Sequence, residues 1–475
     1  MSFFNRKQFF LFLIIFAATR LFSFWFSSNT PLWPAHWLNE FVAITYLLFT
    51  AYCLIKKYPL GWYLVAGEII LGGGGGYFSF AGVSLRTLLL IVSITIYGFQ
   101  QLKQRLSATG GSHARGRRSA FGGEIWALLI VAGFSSIIGL SSQHNVKNIL
   151  SDLIPYCFLL YYFPLKKLIA DDKFKKNCFN LLAAAIVGNF LLVAFTFIGY
   201  NIGAFAIHDN FYWWWRAVAG GKVTALPFDY YRIVLNEHLL LAPLILWGFY
   251  KLITDNKNYL IWTLSALLLL ILSINLTRAY ILAIAVGALV LFSRAHWKQW
   301  LLTGVTFVAI FILGFSSIHL IASRGQSFGF DLLFGRIQSI VLPQTEDSSL
   351  SRLILLPKIL EKIKSAPIIG SGLGDTVTAY SPTFKSEITT PHFDWGYLEI
   401  WAEMGLVGLF AWGLFLWKII KNNLKKPLIL SMLAALMVIN ITSPALFHVM
   451  GIIFLVTLVC HSERAERVEE SLISS

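Results

Sequence analysis

Two kinds of residue in this chain could carry chemistry: arginines at the ends of apolar segments, and a histidine beside a predicted helix. Arg86, Arg232 and Arg278 fall at the outer ends of predicted membrane helices, where a charge is costly unless it is paired or functional. Arg352 lies in the longest hydrophilic stretch. Guanidinium groups bind phosphate oxygens in pairs, so the four arginines together predict an anion site. The alternative for any one of them is an arginine that reaches to the membrane–water interface.

His392 is the candidate catalytic base. It follows Pro391 and stands just before a predicted helix, at the end of the hydrophilic stretch. A neutral imidazole there could accept a proton from an incoming hydroxyl near neutral pH. Asp394 could orient the ring or cap the helix. The alternative is an exposed loop histidine without a role in catalysis.

Glu68, Glu237 and His238 are polar residues within apolar segments, and we expect supporting roles for them. Glu68 is expected to pair with Arg86 across its helical hairpin rather than to act in catalysis. Glu237 and His238 lie in the eighth predicted helix. A lone histidine in that position is more often a hydrogen-bonding residue than a catalyst.

These residues must be positioned by membrane helices, because 57% of the 475 residues are hydrophobic and only 13% are charged. Such a composition excludes an ordinary soluble protein. The sequence predicts an all-α polytopic membrane protein with about 12–14 transmembrane helices. The predicted spans lie near 8–27, 37–55, 60–76, 84–101, 124–141, 147–164, 178–199, 232–250, 258–276, 279–293, 299–321, 395–417, 427–443 and 445–460.

The lysines and arginines predict how the helices are oriented. The formal net charge is +15, but most of these cations lie in short loops that alternate along the chain. This distribution indicates membrane topology and argues against nucleic-acid binding. Both termini are predicted inside. A large loop, 322–394, with an amphipathic helix over Leu350 to Lys364 on the membrane surface, and a smaller loop, 200–231, with an aromatic run suited to the membrane interface, are predicted outside.

The domain prediction is one transmembrane domain over 1–460, followed by a polar cytoplasmic tail at 461–475. No cofactor is predicted. The cysteines have no metal-ligand spacing, and no paired acidic motif in the outer loops would hold a divalent ion.

Several motifs occur in an order that is typical of one family. They are Ser351-Arg352, an amphipathic helix, Pro367 to Gly374, His392, and Trp395 to Gly408, with earlier arginine segments at Gly82 to Arg86 and Leu276 to Tyr280. This order resembles the superfamily of O-antigen ligases and O-antigen polymerases, which are bacterial polytopic membrane proteins. One departure is Phe393, where the common pattern has an Asn or a Ser.

The resemblance implies transfer of a glycan from undecaprenyl diphosphate to an acceptor at the outer face of the bacterial inner membrane. The acceptor would be lipid A core, a growing glycan chain or a protein, and membrane lipids surround the site. Arg232, Arg278 and Arg352 would hold the diphosphate, with Arg86 in an earlier arginine segment, and His392 would activate the acceptor. No metal is needed if these cations neutralise the leaving group.

Three other functions are weighed against the ligase. The first is a polymerase of O-antigen or capsule repeats, which the resemblance does not separate from a ligase. The second, a polyprenyl-phosphate-sugar glycosyltransferase, should have acids in the first outer loop, and Ser27 to Trp37 contains none. The third, a transporter or flippase for polysaccharide or lipid intermediates, should have two matching halves with broken helices, and the sequence has no such halves.

Overall fold

The protein is an all-α polytopic membrane protein, as predicted. The structure, a computed structural model, describes residues 4–27, 35–107, 121–255, 258–342, 347–381 and 386–473. Within these residues, seven helices are long and apolar enough to cross a membrane, and five shorter helices are also apolar. The sheets in the described residues are three small antiparallel hairpins.

The helices are, in chain order, α1 (Arg6–Phe26), α2 (Trp37–Ile55), α3 (Pro59–Leu71), α4 (Leu85–Ser107), α5 (Gly122–Ser141), α6 (Val146–Cys157), α7 (Tyr162–Leu168), α8 (Asp172–Asn201), α9 (Asn210–Ala217), α10 (Leu241–Thr254), α11 (Tyr259–Asn275), α12 (Arg278–Val290), α13 (Trp297–Ala322), α14 (Phe330–Val341), α15 (Asp347–Ser365), α16 (Gly396–Asn422), α17 (Pro427–Ile439) and α18 (Val449–Ile473). The strands are β1 (Ser79–Phe80), β2 (Val83–Ser84), β3 (Lys222–Leu226), β4 (Tyr230–Val234), β5 (Val377–Ser381) and β6 (Ser386–Thr390).

The chain divides into two compact units. The first unit is Met1–Ala114, Lys167–Leu276 and Ser293–Phe330, and the second unit is Arg115–Lys166, Thr277–Phe292 and Asp331–Ser475. The single domain over 1–460 stays a prediction.

The first unit is built from helices that pack side by side. α1 packs on α8, α2 on α3 and α4, and α11 on α10 and α13. One part of its core brings Phe16 of α1 against Leu71 at the end of α3 and against Leu181 and Ala185 of α8. These apolar contacts hold the end of α3, where Glu68 lies, against α1 and α8.

The predicted span at 232–250 is wrong at its start. β4 (Tyr230–Val234) pairs there with β3, and a 3-10 turn over Asn236–Leu240 precedes α10. The run Tyr231-Arg232-Ile233-Val234 is rich in aromatic and β-branched residues, which favour a strand. Glu237 and His238 therefore lie at the entrance to α10 and not within a membrane helix.

The loop at 200–231 also differs from its prediction. It contains α9 and β3, and the aromatic run lies on α9. Trp214 and Trp215 are buried, and the indole of Trp214 donates a hydrogen bond to Ser23 Oγ at 3.2 Å. Of the three tryptophans, Trp213 is the exposed one. Most of this run packs inside the unit instead of facing the membrane interface.

The second unit contains most of the large loop at 322–394 and the helix that follows it. α16 packs on α5 and on α15, and α12 packs on α17. The predicted amphipathic helix is confirmed as α15, but its apolar face does not lie on the membrane surface. Leu355, Ile359 and Ile363 recur every four residues and are buried against Val377 of β5 and Ala402 of α16.

Candidate active site

His392 is held in place by its neighbours on both sides in the chain. Phe393 is fully buried in the core that α15, β5 and α16 share. The Thr390 hydroxyl accepts a hydrogen bond from the His392 amide at 3.2 Å and donates one to the His392 carbonyl at 2.9 Å. The imidazole itself remains 57% exposed. The backbone at His392 is thus fixed while its ring stays accessible.

Glu399 lies behind this imidazole. Its side chain is 2% exposed, and its Oε1 is 4.0 Å from His392 Nδ1. Its other oxygen, Oε2, accepts a hydrogen bond of 3.1 Å from the Phe393 amide. The interaction with the Glu399 carboxylate raises the pKa of His392, and partial desolvation of the ring opposes that shift. A carboxylate in this position can orient an imidazole and stabilise the imidazolium form.

Asp394 and Arg352 are adjacent. Arg352 Nε is 3.9 Å from Asp394 Oδ2, and the indole of Trp395 donates a hydrogen bond to the Arg352 carbonyl at 3.1 Å. The N-cap residue of α16 is Trp395, so Asp394 does not cap the helix. Arg352 Nε has no hydrogen-bond partner among the described residues. The second unit therefore brings together Arg352 and the segment that carries His392.

Gly405 breaks α16 one turn and a half beyond Glu399. Its φ is 66° and its ψ is −168°, which L side chains rarely adopt. The segment 366–374 crosses the helix at this break. The amides of Leu406 and Val407 donate to the carbonyls of Pro367 (3.0 Å) and Ile368 (3.2 Å). The crossing segment thus replaces helical bonds that the break removes.

The segment 366–374 also donates hydrogen bonds to α16, from the glycine motif Gly370-Ser371-Gly372-Leu373-Gly374. The amides of Ser371 and Gly372 donate to the carbonyls of Ala402 (2.8 Å) and Glu403 (3.0 Å) of α16. The two next amides donate to Ser135 of α5 and Asp152 of α6. These amides are engaged within the protein, so the motif serves close backbone packing and does not form a phosphate loop.

Three further acids lie close to this crossing, and two of them, Glu403 and Asp375, are buried. Asp152 Oδ2 accepts the Gly374 amide at 2.9 Å. Glu403 is buried on α16, and its Oε1 has no hydrogen-bond partner among the described residues. Asp375 pairs with Lys362 Nζ at 2.6 Å and 2.7 Å. Of these acids, Asp375 is the one with a lysine at ion-pair distance among the described residues.

Arg278 lies in the second unit, at the start of α12. Its Nη1 donates to the Ser339 carbonyl at 2.8 Å and to the Ser339 hydroxyl at 2.7 Å. Ser339 belongs to the last turn of α14, and the carbonyl end of a helix favours a cation. Arg278 therefore connects α12 to α14.

In the first unit, Arg232 and His238 meet at the end of α11. Arg232 Nε donates to the Asn275 carbonyl at 2.8 Å, and the Asn275 amide nitrogen lies 2.7 Å from His238 Nδ1. The Leu235 amide also donates to this Nδ1, at 3.2 Å. Burial lowers the pKa of His238 to about 3, so its ring stays neutral. In the structure, His238 accepts hydrogen bonds within the first unit.

The first unit also contains the expected pair of Glu68 and Arg86. Arg86 Nε donates to Glu68 Oε2 at 3.0 Å, and the Arg86 side chain is buried while that of Glu68 is 9% exposed. Glu237 lies close to Gly73: a Cβ added to Gly73 would be 2.7 Å from Glu237 Oε1. Neither carboxylate oxygen of Glu237 has a hydrogen-bond partner among the described residues. Glycine at position 73 leaves room for this carboxylate.

Sequence reasoning missed two functional candidates. Glu399 is one, although an acid one turn into the helix that follows a histidine is a signal that could have found it. Arg20 of α1 is the other. It is buried between the rings of Phe16 and Tyr77, at 3.4 Å and 4.3 Å from their centroids. The signal was a single arginine within an apolar span.

One segment of the chain matches a known protein family. Residues 263–413 match the family model described as O-antigen ligase. This segment contains Arg278, Arg352, His392 and Glu399, and the match confirms the resemblance to the O-antigen ligase superfamily. No curated protein matches the chain.

Proposed function

As a multi-pass membrane protein with an O-antigen ligase segment, this chain is, we propose, a transferase that moves a glycan from undecaprenyl diphosphate to an acceptor hydroxyl. The proposed acceptor is lipid A core, and the alternatives are a growing glycan chain and a protein. We place the reaction at the outer, periplasmic face of the bacterial inner membrane, with both termini in the cytoplasm. The observation that carries the proposal is the pairing of an accessible His392 with a buried Glu399.

His392 acts as the general base in this proposal. Because its Nδ1 faces Glu399, Nε2 is the nitrogen left to accept a proton. The acceptor hydroxyl loses its proton to Nε2 while its oxygen bonds to the anomeric carbon of the donor sugar. The bond from that carbon to the diphosphate oxygen breaks, and the electron pair leaves with undecaprenyl diphosphate. Glu399 stabilises the imidazolium that forms.

Arginines neutralise the leaving diphosphate. Arg352 supports this role best, because it lies beside the His392 segment and its Nε has no hydrogen-bond partner among the described residues. Arg86, Arg232 and Arg278 remain proposed contributors, and Glu68, Glu237, His238 and Asp394 remain proposed supporting residues. Fixed cations stabilise charge that develops on a leaving oxygen. We therefore expect EDTA to leave transfer intact in a purified assay, and strong inhibition would contradict a metal-independent reaction.

The test of the base is His392→Ala in a purified transfer assay. Loss of a general base typically lowers a rate by about 10²- to 10⁴-fold. The control is His296→Ala, which removes an exposed histidine elsewhere. Full activity in the His392 variant, at unchanged protein level in the membrane, would remove this residue from the mechanism.

The identity of the acceptor separates a ligase from a polymerase of O-antigen or capsule repeats. The measurement is the glycan profile of cells that lack the protein. Accumulation of unattached, lipid-linked polymer indicates a ligase. Loss of long chains with a single repeat still attached indicates a polymerase. A transporter or flippase is the alternative of another class, and a purified protein that transfers no glycan would favour it.

A further inference from the structure

Two acids of the second unit, Asp152 on α6 and Glu403 on α16, lie near His392 without a cation of their own. Among the described residues, Asp375 is the acid of this region that has a lysine, Lys362, at ion-pair distance. Burying a charge without a partner is costly. The charge that Asp152 and Glu403 hold therefore decides much of the electrostatic environment of His392.

The carboxyl groups of Asp152 and Glu403 are neighbours. The Glu403 side chain reaches Asp152 at hydrogen-bonding range. The Gly374 amide donates to Asp152 Oδ2 at 2.9 Å and also interacts with the Glu403 carboxyl. Glu403 is 4% exposed, and its Oε1 has no hydrogen-bond partner among the described residues. One amide thus serves two carboxyl groups, and a second donor is needed between them.

We propose that Asp152 and Glu403 share one proton, so that the two residues together hold a single negative charge behind His392. Ionised carboxylates only accept hydrogen bonds, so two of them in contact repel each other unless one is protonated. A shared proton supplies the second donor and removes one buried charge. The proton then belongs to the pair and not to either residue alone.

The cations near the pair are already engaged with other acids. The charged and titratable groups around the pair and His392 are Glu399 on α16, Tyr156 on α6, and Asp375, Lys362, His144, Asp394 and Arg352 on the neighbouring segments. Lys362 and His144 lie against Asp375, and Arg352 lies 3.9 Å from Asp394. The Tyr156 hydroxyl donates to Met404 Sδ at 3.1 Å. A proton is the compensating group that remains for Asp152 and Glu403.

The pair acts on the reaction through His392, and this consequence rests on the proposed function. The interaction with Glu399 is the largest influence that raises the pKa of His392, and the charge of Asp152 adds to it. Asp152 and Glu403 are therefore positioning residues. With one charge on Glu399 and one on the pair, the imidazolium that forms during transfer faces two negative charges instead of three.

The first test is infrared difference spectroscopy of the full-length protein in nanodiscs at neutral pH. A protonated carboxyl has a C=O stretch that an ionised carboxylate lacks. Asp152→Asn and Glu403→Gln should each lose one protonated carboxyl relative to the wild type, because the amide takes the place of the protonated partner and the remaining acid is ionised. Loss of a carboxylate band in either variant, in place of the carboxyl band, would overturn the shared proton.

The second test is the pH–rate profile of kcat/KM in the transfer assay. Each single variant keeps one negative charge, so its acidic limb should stay at the wild-type position. The double variant Asp152→Asn/Glu403→Gln loses that charge, and its acidic limb should move to lower pH. The matched control, Asp172→Asn/Glu361→Gln, replaces an Asp and a Glu whose side chains are 77% and 64% exposed, and it should not shift the limb.

The two tests separate the charge states of the pair. A shifted limb in either single variant would mean that both carboxyls are ionised, and an unshifted limb in the double variant would mean that the pair holds no charge; both results overturn the proposal. The infrared measurement needs no transfer activity. A wild-type protein that transfers no glycan would therefore refute the proposed function, while the infrared result would still decide whether the proton is shared.

Discussion

Replacing Glu399 by Gln should shift the pH dependence of transfer toward acid. The two atoms of the pair, Glu399 Oε1 and His392 Nδ1, are 4.0 Å apart. Opposite charges at that distance attract by about 4 kcal/mol at an effective dielectric constant of about 20 and by about 1 kcal/mol in bulk water. The His392 side chain is 57% exposed, so the smaller figure applies. Losing this attraction in the Gln variant therefore lowers the pKa of His392 from its raised wild-type position.

The sign follows from the form of His392 that acts. The wild-type carboxylate raises the pKa of His392, so the neutral base is lost as the pH falls through that raised pKa. Removing the negative charge of Glu399 keeps the base neutral to lower pH. The rate on the alkaline plateau should fall because the imidazolium loses its counter-charge. The Gln side chain can still accept the Phe393 amide at the position where Oε2 accepts it at 3.1 Å, so the local backbone should persist.

The assay is a pH–rate profile of kcat/KM with purified protein, because that parameter reports the pKa values of the free enzyme. The matched control is Glu387→Gln, an exposed residue of β6. An acidic limb that does not move in the Glu399 variant, or that moves toward alkaline pH, would refute the pairing of these two residues in the mechanism.

Three further changes probe the scaffold and the cation. Phe393 is fully buried, so Phe393→Ala leaves a cavity and should destabilise the loop by about 3–5 kcal/mol. Limited proteolysis of the loop should be faster in this variant than in Tyr380→Ala, the control at an exposed site. Arg352→Lys should raise the KM for the lipid donor several-fold, because an ammonium cannot bind two phosphate oxygens as a guanidinium does; an unchanged KM would count against a diphosphate contact. Gly405→Ala should lower the yield of folded protein, since its φ is 66°, while Gly413→Ala, where an added Cβ meets nothing within 4 Å, should not.

Two of the polar residues proposed for the second unit have signals that can be read in the sequence. His392 stands just before a predicted helix, and Arg352 is an arginine in the longest hydrophilic stretch. The role of Phe393 could not be read from the sequence, because burial depends on what packs around it. The structure explains this departure from the common family pattern: Phe393 anchors the segment that carries His392.

The first unit shows where sequence patterns are ambiguous. The run from Arg232 to Tyr250 is apolar enough to be taken as one helix, yet its beginning pairs as a strand. Short apolar runs of this kind fit either structure until their partners are known. Pairing of Glu68 with Arg86 could be expected, because two opposite charges in neighbouring apolar helices need each other. The contact between Arg20 and Tyr77 could be recognised only from the folded structure.

The break at Gly405 has a consequence for biosynthesis. A break inside an apolar helix leaves carbonyl and amide groups that need partners elsewhere in the protein. In this protein their partners lie in the segment 366–374, which is made before α16 and after α5 and α6. The first half of α16, which carries Glu399, can therefore settle only once this earlier segment is folded against it. Assembly of the candidate active site therefore depends on docking of the segment 366–374 onto α16.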